Sequence, residues 1–408
     1  MKKIIIILFI SAIILGLGIL FLPPLSLFTS DQVKQPEQPE IPIEQPISIK
    51  ISAVGDIMVH EPQYKAAYNS ETNTYDFTEN FIYVKPYIQA ADLAICNLET
   101  VFAGGEPQGY PAFNAPDSLA EAIKSTGFDV ALLSNNHILD KGIDGMLRTI
   151  DVVNKAGISS TGAHKLEDKQ YIIKNVKGIN IGIVSYTYET PSVNGRKTLN
   201  SNIISERALP LLNTFSYETL DADVEKVKAN IDAAKADGAQ VIICYFHWGE
   251  EYQQTPNEFQ TQLASSVSKA GADIIFASHP HVLQSVNIIT DETSKKETAV
   301  FYSMGNFISN QRTETLKNRY TEEGIIAKVS FDIMKSTGII SDYKVSAVPI
   351  WVEKHKGKTT EYAVIPLDKD FSQNPALIGS GHLSRAKVAL SDIIKIVGSE
   401  FVEREEIK

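Results

Sequence analysis

Two cysteines among 408 residues, Cys96 and Cys244, leave no disulfide framework to staple the chain. Both fall in apolar runs, LAICN and VIICYF, that read as buried strands, so two free core thiols are expected, with a single disulfide left open. No cysteine lies near the N-terminus, which excludes a lipoprotein anchor. There is no basic excess either: a formal net charge of -11 argues against nucleic acid or anionic lipid as general partners, because both need a basic field. A polyanionic substrate therefore has to be met by a local site. The sequence has no internal repeat, and its only biased stretch is DQVKQPEQPEIPIEQPI, residues 31–47.

What is present begins with an uncharged apolar run, Ile4 to Leu22, behind Lys2 and Lys3 and ahead of Pro23 and Pro24. Its length matches a bilayer crossing, exceeds the usual core of a signal peptide, and lacks a small-x-small cleavage site after it. The positive cluster before the run puts the N-terminus inside and the rest outside. The expected organisation is a cytoplasmic N-terminus (1–3), a single membrane-spanning helix (4–24), a Pro/Gln/Glu-rich stalk (25–47), a folded domain (48–370) and a C-terminal segment (371–408). The protein is thus expected in the cell membrane with its bulk extracytoplasmic. In polyproline II conformation the stalk reaches up to roughly 50 Å from the bilayer.

From Ser48 onward, apolar strands alternate with amphipathic helices, the pattern of a layered α/β domain. IKISAVGD, ADLAICNLE, FDVALLSNNH, QVIICYFHWG and ADIIFASHPH each read as a strand that ends in polar residues. Helices are predicted in DSLAEAIKSTG, DADVEKVKANIDAAKADG and EFQTQLASSVSKAG, stopped by Gly127, Gly238 and Gly271. Strands without intervening helices after NIGIVSYT suggest a second, more antiparallel region. Residues 186–220 and 310–323 lack periodicity and are expected to be functional loops that flank the site.

The chemistry-bearing residues fall where those strands end: Asp56, Asn97 and Glu99, Asn135 to His137, His247, and His279 with His281. In open α/β sheets ligands bind at that edge. A lone Asp after Gly is ordinarily a turn, and a lone His beside Trp248 is ordinarily a packed ring. Five strand ends carrying such side chains from distant parts of the chain point instead to one site. Carboxylates, imidazoles and an amide oxygen without thiolate suit one or two divalent ions of the Mn, Fe or Zn kind.

The blocks GDIM (Gly55 to Met58), NLE (Asn97 to Glu99), NNHILD (Asn135 to Asp140), HWGEEY (His247 to Tyr252), SHPH (Ser278 to His281) and YSMGNF (Tyr302 to Phe307) resemble, in order, the CapA family linked to poly-γ-glutamate capsule synthesis. CapA domains are in turn similar to calcineurin-like metallophosphoesterases. The resemblance implies a four-layer α/β/β/α sandwich with metals at the strand ends. It makes Asp56, Glu99 and His281 ligands of a first ion, and Asn136, His247, His279 and a bridging Glu99 ligands of a second. His137 becomes the acid or base, with Asp140 orienting it. Asn97 and Asn306 are candidate substrate contacts, and on the loop after GNF the charges of Arg312, Lys317 and Arg319 suit carboxylate contacts. The phosphoesterase pattern wants His where this chain has Met58, and His60 is the candidate replacement ligand. The implied role is synthesis, export or anchoring of poly-γ-glutamate or a related anionic polymer, beside other capsule synthesis membrane proteins. A phosphoesterase acting on an envelope phosphate ester and a non-catalytic polymer-binding scaffold stay open as alternatives.

Overall fold

The computed structural model describes residues 44–357, 360–368 and 370–403. The expected membrane span and nearly all of the stalk lie outside these residues. Among the described residues no helix is long and apolar enough to cross a membrane. The chain divides into two units after Glu44, and the elements that follow belong to the second.

Two sheets form the centre of this unit. The first runs in the order Thr360–Pro366, Ile340–Lys356, Glu323–Ile333, Ile47–Ile57, Leu93–Leu98, Val130–Leu132, Ser159–Thr161, and the short Asn306–Ile308 pairs with the end of Ile47–Ile57. Its second half is parallel and its first half antiparallel. Of the strands expected in a more antiparallel region, GIIAKVSFDI and YKVSAVPIWVE extend the sheet that carries Asp56, whereas NIGIVSYT and ETAVF lie in the second sheet. The second sheet runs Thr214–Phe215, Ile179–Tyr188, Val241–His247, Ile274–Ser278, Glu297–Phe301, Val286–Thr290, with Tyr171–Val176 on the far side of Ile179–Tyr188.

The strands are apolar on both faces because both faces are covered. Ile49, Ile51, Ala53, Leu93, Ile95 and Val130 of the first sheet meet Ile181, Ile183, Ile243, Tyr245 and Phe276 of the second. The opposite face of the first sheet, with Val54, Cys96, Leu98 and Ala131, packs on Leu119, Ile123, Met146 and Ile150 from helices Ser118–Thr126 and Gly142–Lys155. The opposite face of the second sheet packs Val184, Ile242, Cys244 and Phe246 on Val227, Ile231, Leu263 and Val267 from helices Leu220–Ala236 and Glu258–Lys269. The result is four layers, α/β/β/α. Cys96 and Cys244 are free, buried and on opposite outer faces.

The helix stops fall where the sequence put them, with Gly127, Gly238 and Gly271 at φ of 120°, 94° and 103°, values that side chains rarely adopt. Residues 186–220 depart from expectation. They hold a three-stranded ribbon, Thr190–Val193, Arg196–Leu199 and Asn202–Ile203. Its signal was Asn194-Gly195, both at positive φ, the pair favoured in tight hairpin turns. The C-terminal helix Leu383–Val397 buries Ala386, Ala389, Ile393 and Val397 in the cluster that contains Trp351 and Ala347, so this segment packs on the first sheet.

Candidate metal centre

The site forms where the parallel strands of both sheets end. A bulge at Gly55 aims its first residue: the register of Ile47–Ile57 against Leu93–Leu98 slips between Val54 and Asp56. The Asp56 N–H then donates to Gly305 O at 3.1 Å. A Cβ on Gly55 would lie 1.8 Å from that same oxygen, which explains glycine before Asp56. On the second sheet, His279 and His281 leave strand Ile274–Ser278 with φ of 106° and 55°. Such conformations in non-glycine residues cost on the order of 1–3 kcal/mol each and concentrate at functional sites. The turn is held from outside by Tyr252, whose N–H donates to Pro280 O at 2.7 Å.

Two groups of donor atoms converge, Glu99 with His247 and His279, and Asp56 with Glu99 and His281, each within 4.8 Å. Glu99 belongs to both. Its Oε1 lies 3.4 Å from His247 Nε2 and 3.8 Å from His281 Nε2, and it has no hydrogen-bond partner. His279 Nδ1, equally buried, has none either. Buried polar atoms left unpaired are costly, and a cation between them removes that cost, so the donor set fits divalent metal. Asn136 joins the His247 side, its Oδ1 2.9 Å from His247 Nε2.

Burial sets the proton inventory. It pushes His247 down to about 3 and His279 well below the usual imidazole range, leaving both neutral with a lone pair to offer. It also pushes Glu99 well above the usual carboxylate range, reinforced by the nearby Asp56. Burial would likewise raise Asp56 and lower His281, but their mutual hydrogen bond and charge outweigh it, so Asp56 is lowered and His281 raised.

Next to this centre, His137 Nδ1 lies 2.8 Å from Asp140 Oδ2, which also accepts from the Phe113 N–H at 2.6 Å. Both side chains are at least nine-tenths buried. With Nδ1 held, Nε2 is the nitrogen left to exchange a proton. His137 and Asn136 face a cleft of about 930 Å³ that also includes Tyr110, Lys141, Arg207 and Glu251. The ribbon within residues 186–220 supplies Leu199, Asn200 and Ile203 to its wall.

The remaining expected residues are elsewhere or otherwise engaged. Asn97 is a fully buried brace: its Nδ2 donates to Asp56 Oδ1 at 2.7 Å and its Oδ1 accepts from Asn135 at 3.3 Å. Asn306 has Oδ1 3.2 Å from His281 Nδ1 and gives its N–H groups to the carbonyls of Thr321 and His281 and to Gln311, so it orients His281. His60 stands outside both donor groups, capping helix Glu61–Ala67, with its Nδ1 accepting from the Asn310 N–H at 3.3 Å. Arg312 is not brought to the centre. Its guanidinium is buried against Val352 O and Glu322, which hold it away from the centre.

Two tyrosines complete the surroundings without having been singled out. Tyr245 places its OH 3.2 Å from His247 Nδ1; the period-2 spacing on one strand was its available signal. Tyr188 packs its ring 4.7 Å from that of His279, a contact with no signal in the sequence.

Residues 50–311 match the family model described as bacterial capsule synthesis protein PGA_cap. The chain belongs to this family. It is 28% identical over 271 residues to the capsule biosynthesis protein CapA of Bacillus anthracis, covering 64% of this chain and 60% of that protein. It is 29% identical over 282 residues to the PGA biosynthesis protein CapA of Bacillus subtilis (strain 168), covering 67% of each. Among solved structures, this PGA_cap chain is similar to the calcineurin-like phosphoesterase YfkN from Bacillus subtilis, at 13% identity and a TM-score of 0.39, over 85% of this chain and 100% of that one.

Proposed function

We propose that this PGA_cap protein acts at the outer face of the cell membrane on poly-γ-glutamate or a related anionic envelope polymer, through a centre of one or two divalent ions, Mn, Fe or Zn. The observation that carries the metal reading is Glu99 Oε1, buried, unpartnered and shared by two histidine-containing donor groups. Asp56, Glu99 and His281 would hold one ion; Glu99, Asn136, His247 and His279 would hold the other. When bound, the ions supply positive charge and Lewis acidity on an otherwise acidic chain. His137, held by Asp140, exchanges a proton at the edge of the cleft. The cleft is large enough for several units of a chain, while the donor groups themselves are closed in. Family membership supports the polymer, and the Ile4 to Leu22 run supports the anchor and the extracytoplasmic placement. Other capsule synthesis membrane proteins are its expected partners.

The His137–Asp140 pair favours hydrolysis over a purely binding role, because a grip on polymer has no use for an oriented proton donor. Metal content of the full chain, with turnover of a generic phosphodiester and of poly-γ-glutamate under each metal, tests the reading. Turnover of poly-γ-glutamate supports it; turnover of the phosphodiester alone assigns an envelope phosphoesterase; metal and polymer bound without turnover assigns a scaffold. Protease added to intact protoplasts should remove the domain, whereas a domain free in the medium contradicts the anchor.

A further inference from the structure

The family match ends at residue 311, yet the chain folds back from there onto the metal centre. The return runs through one buried carboxylate. Glu322, 1% exposed, accepts from Arg385 Nη2 at 2.8 Å and 2.7 Å on its two oxygens, and from the Thr313 N–H at 2.8 Å. Arg312 Nη2 lies 3.4 Å from it. Arg385 stands in the first turn of helix Leu383–Val397 and also binds Glu314 at 2.8 Å. Two turns along, Asp392 takes both Nε and Nη2 of Arg319, at 2.7 Å and 3.2 Å. The segment 312–322 is therefore clamped to the C-terminal helix at both of its ends.

The residue before Glu322 touches the metal centre's supporting shell. Thr321, fully buried, accepts through its carbonyl from Asn306 Nδ2 at 2.9 Å, and Asn306 Oδ1 meets His281 Nδ1 at 3.2 Å. With Nδ1 held between Asn306 and Asp56 Oδ2, the latter at 3.0 Å, His281 presents Nε2 toward Glu99.

We propose that the C-terminal helix sets the metal centre: Arg385 and Glu322 are positioning residues that hold Thr321 and Asn306, and through them His281, in the orientation that binds the ion shared with Asp56. The proposal rests on the metal reading above. Without Arg385 the Glu322 carboxylate loses its bidentate partner inside the protein, and such a charge relaxes toward water, carrying Thr321 with it. His247 and His279, which with Glu99 would hold the other ion, have no hydrogen bond or ion pair to segment 312–322 among the described residues, so that ion would be left alone.

The test is calorimetric titration of the chelator-treated full chain with Mn or Zn. Arg385→Gln should weaken the ion of the His281 side roughly tenfold, the scale of a lost outer-shell contact, and leave the other ion within about twofold. Arg385→Lys, which keeps the charge but not the two-point grip, should fall between. Lys328→Gln, which removes an ion pair to Glu403 on a different part of the same C-terminal segment, should lower thermal stability and change neither affinity. Unchanged affinities in Arg385→Gln, or parallel weakening of both ions there and in Lys328→Gln, overturn the proposal. Should Arg385→Gln not fold, Arg319→Gln at the exposed end of the clamp is read in the same way. If the wild type binds no ion, the metal reading fails by itself. Positioning is then judged by the His281 ring resonances in NMR: displaced by Arg385→Gln and not by Lys328→Gln supports it, and unmoved overturns it.

Discussion

His281 and Asp56 meet across the gap between the two sheets, Nδ1 to Oδ2 at 3.0 Å, from positions 225 residues apart. Each shifts the other: the carboxyl is held below its usual range and the imidazole above. On this side of the centre the protein offers Asp56, Glu99 and His281, since Met58 is a buried thioether that holds no such ion well. Asp56→Ala is therefore expected to remove the weaker ion and spare the tighter one, and His279→Ala to do the reverse. Metal content after gel filtration checks both.

His137→Ala is expected to leave both ions bound, because the ring contributes to neither donor group. Turnover, on whichever substrate the wild type accepts, should fall roughly a hundredfold or more, the usual worth of a positioned general acid. Asp140→Asn should fall less, since the His137 ring keeps its packing on Phe113. Equal metal content with lost turnover distinguishes this residue from a ligand.

Gly55→Ala tests the bulge that aims Asp56. The added methyl would lie 1.8 Å from Gly305 O, backbone that cannot move aside without shifting Asn306. Overpacking of this kind costs on the order of 1–3 kcal/mol or more, so denaturant unfolding should shift clearly and the Asp56-side ion should be lost. Gly379→Ala, in helix Pro375–Ser380 with open space around it, should be neutral or slightly stabilising.

The sequence carried the frame of this site better than its interior. GDIM, NLE, NNH, HWG and SHPH were legible because each apolar run stops at a polar residue, and strand ends of one sheet edge lie together whatever the pairing in detail. Which side chains then face one another is settled by tertiary packing. Nothing local to Asn306 says that its amide is used up on Thr321 and His281, and nothing near Arg312 says that Glu322 and the Val352 carbonyl draw it away. The ribbon in residues 186–220 was missed for a different reason: Asn194-Gly195 is a strong turn signal, but the flanking strands are short and polar and gave no period to support it.

Glu323 gives the expected pH dependence of stability. It is 1% exposed, its Oε2 has no partner, and burial, reinforced by Asp392, pushes its carboxyl up to about 9. A folded value above the unfolded one means stability fully present below the unfolded value and lost as pH rises toward the folded one. Between about pH 4.5 and 9 the wild type should lose stability that Glu323→Gln retains. The two should melt close together near pH 5, and the variant should melt clearly higher near pH 9, each pH unit crossed between the two values contributing about 1.4 kcal/mol. Melting curves across that range check it; parallel curves would show that Glu323 is ionised in the folded protein.

Calorimetric titration of the metal-free wild-type chain with Mn or Zn tests directly whether this centre binds metal. The donor count predicts two unequal sites, a tighter one from Glu99, Asn136, His247 and His279 and a weaker one from Asp56, Glu99 and His281. Two equally tight sites would show that Met58 is compensated, most simply by His60, and His60→Ala should then weaken one of them. No binding at all would rule out a metal centre here and leave a buried polar cluster beside a polymer-sized cleft.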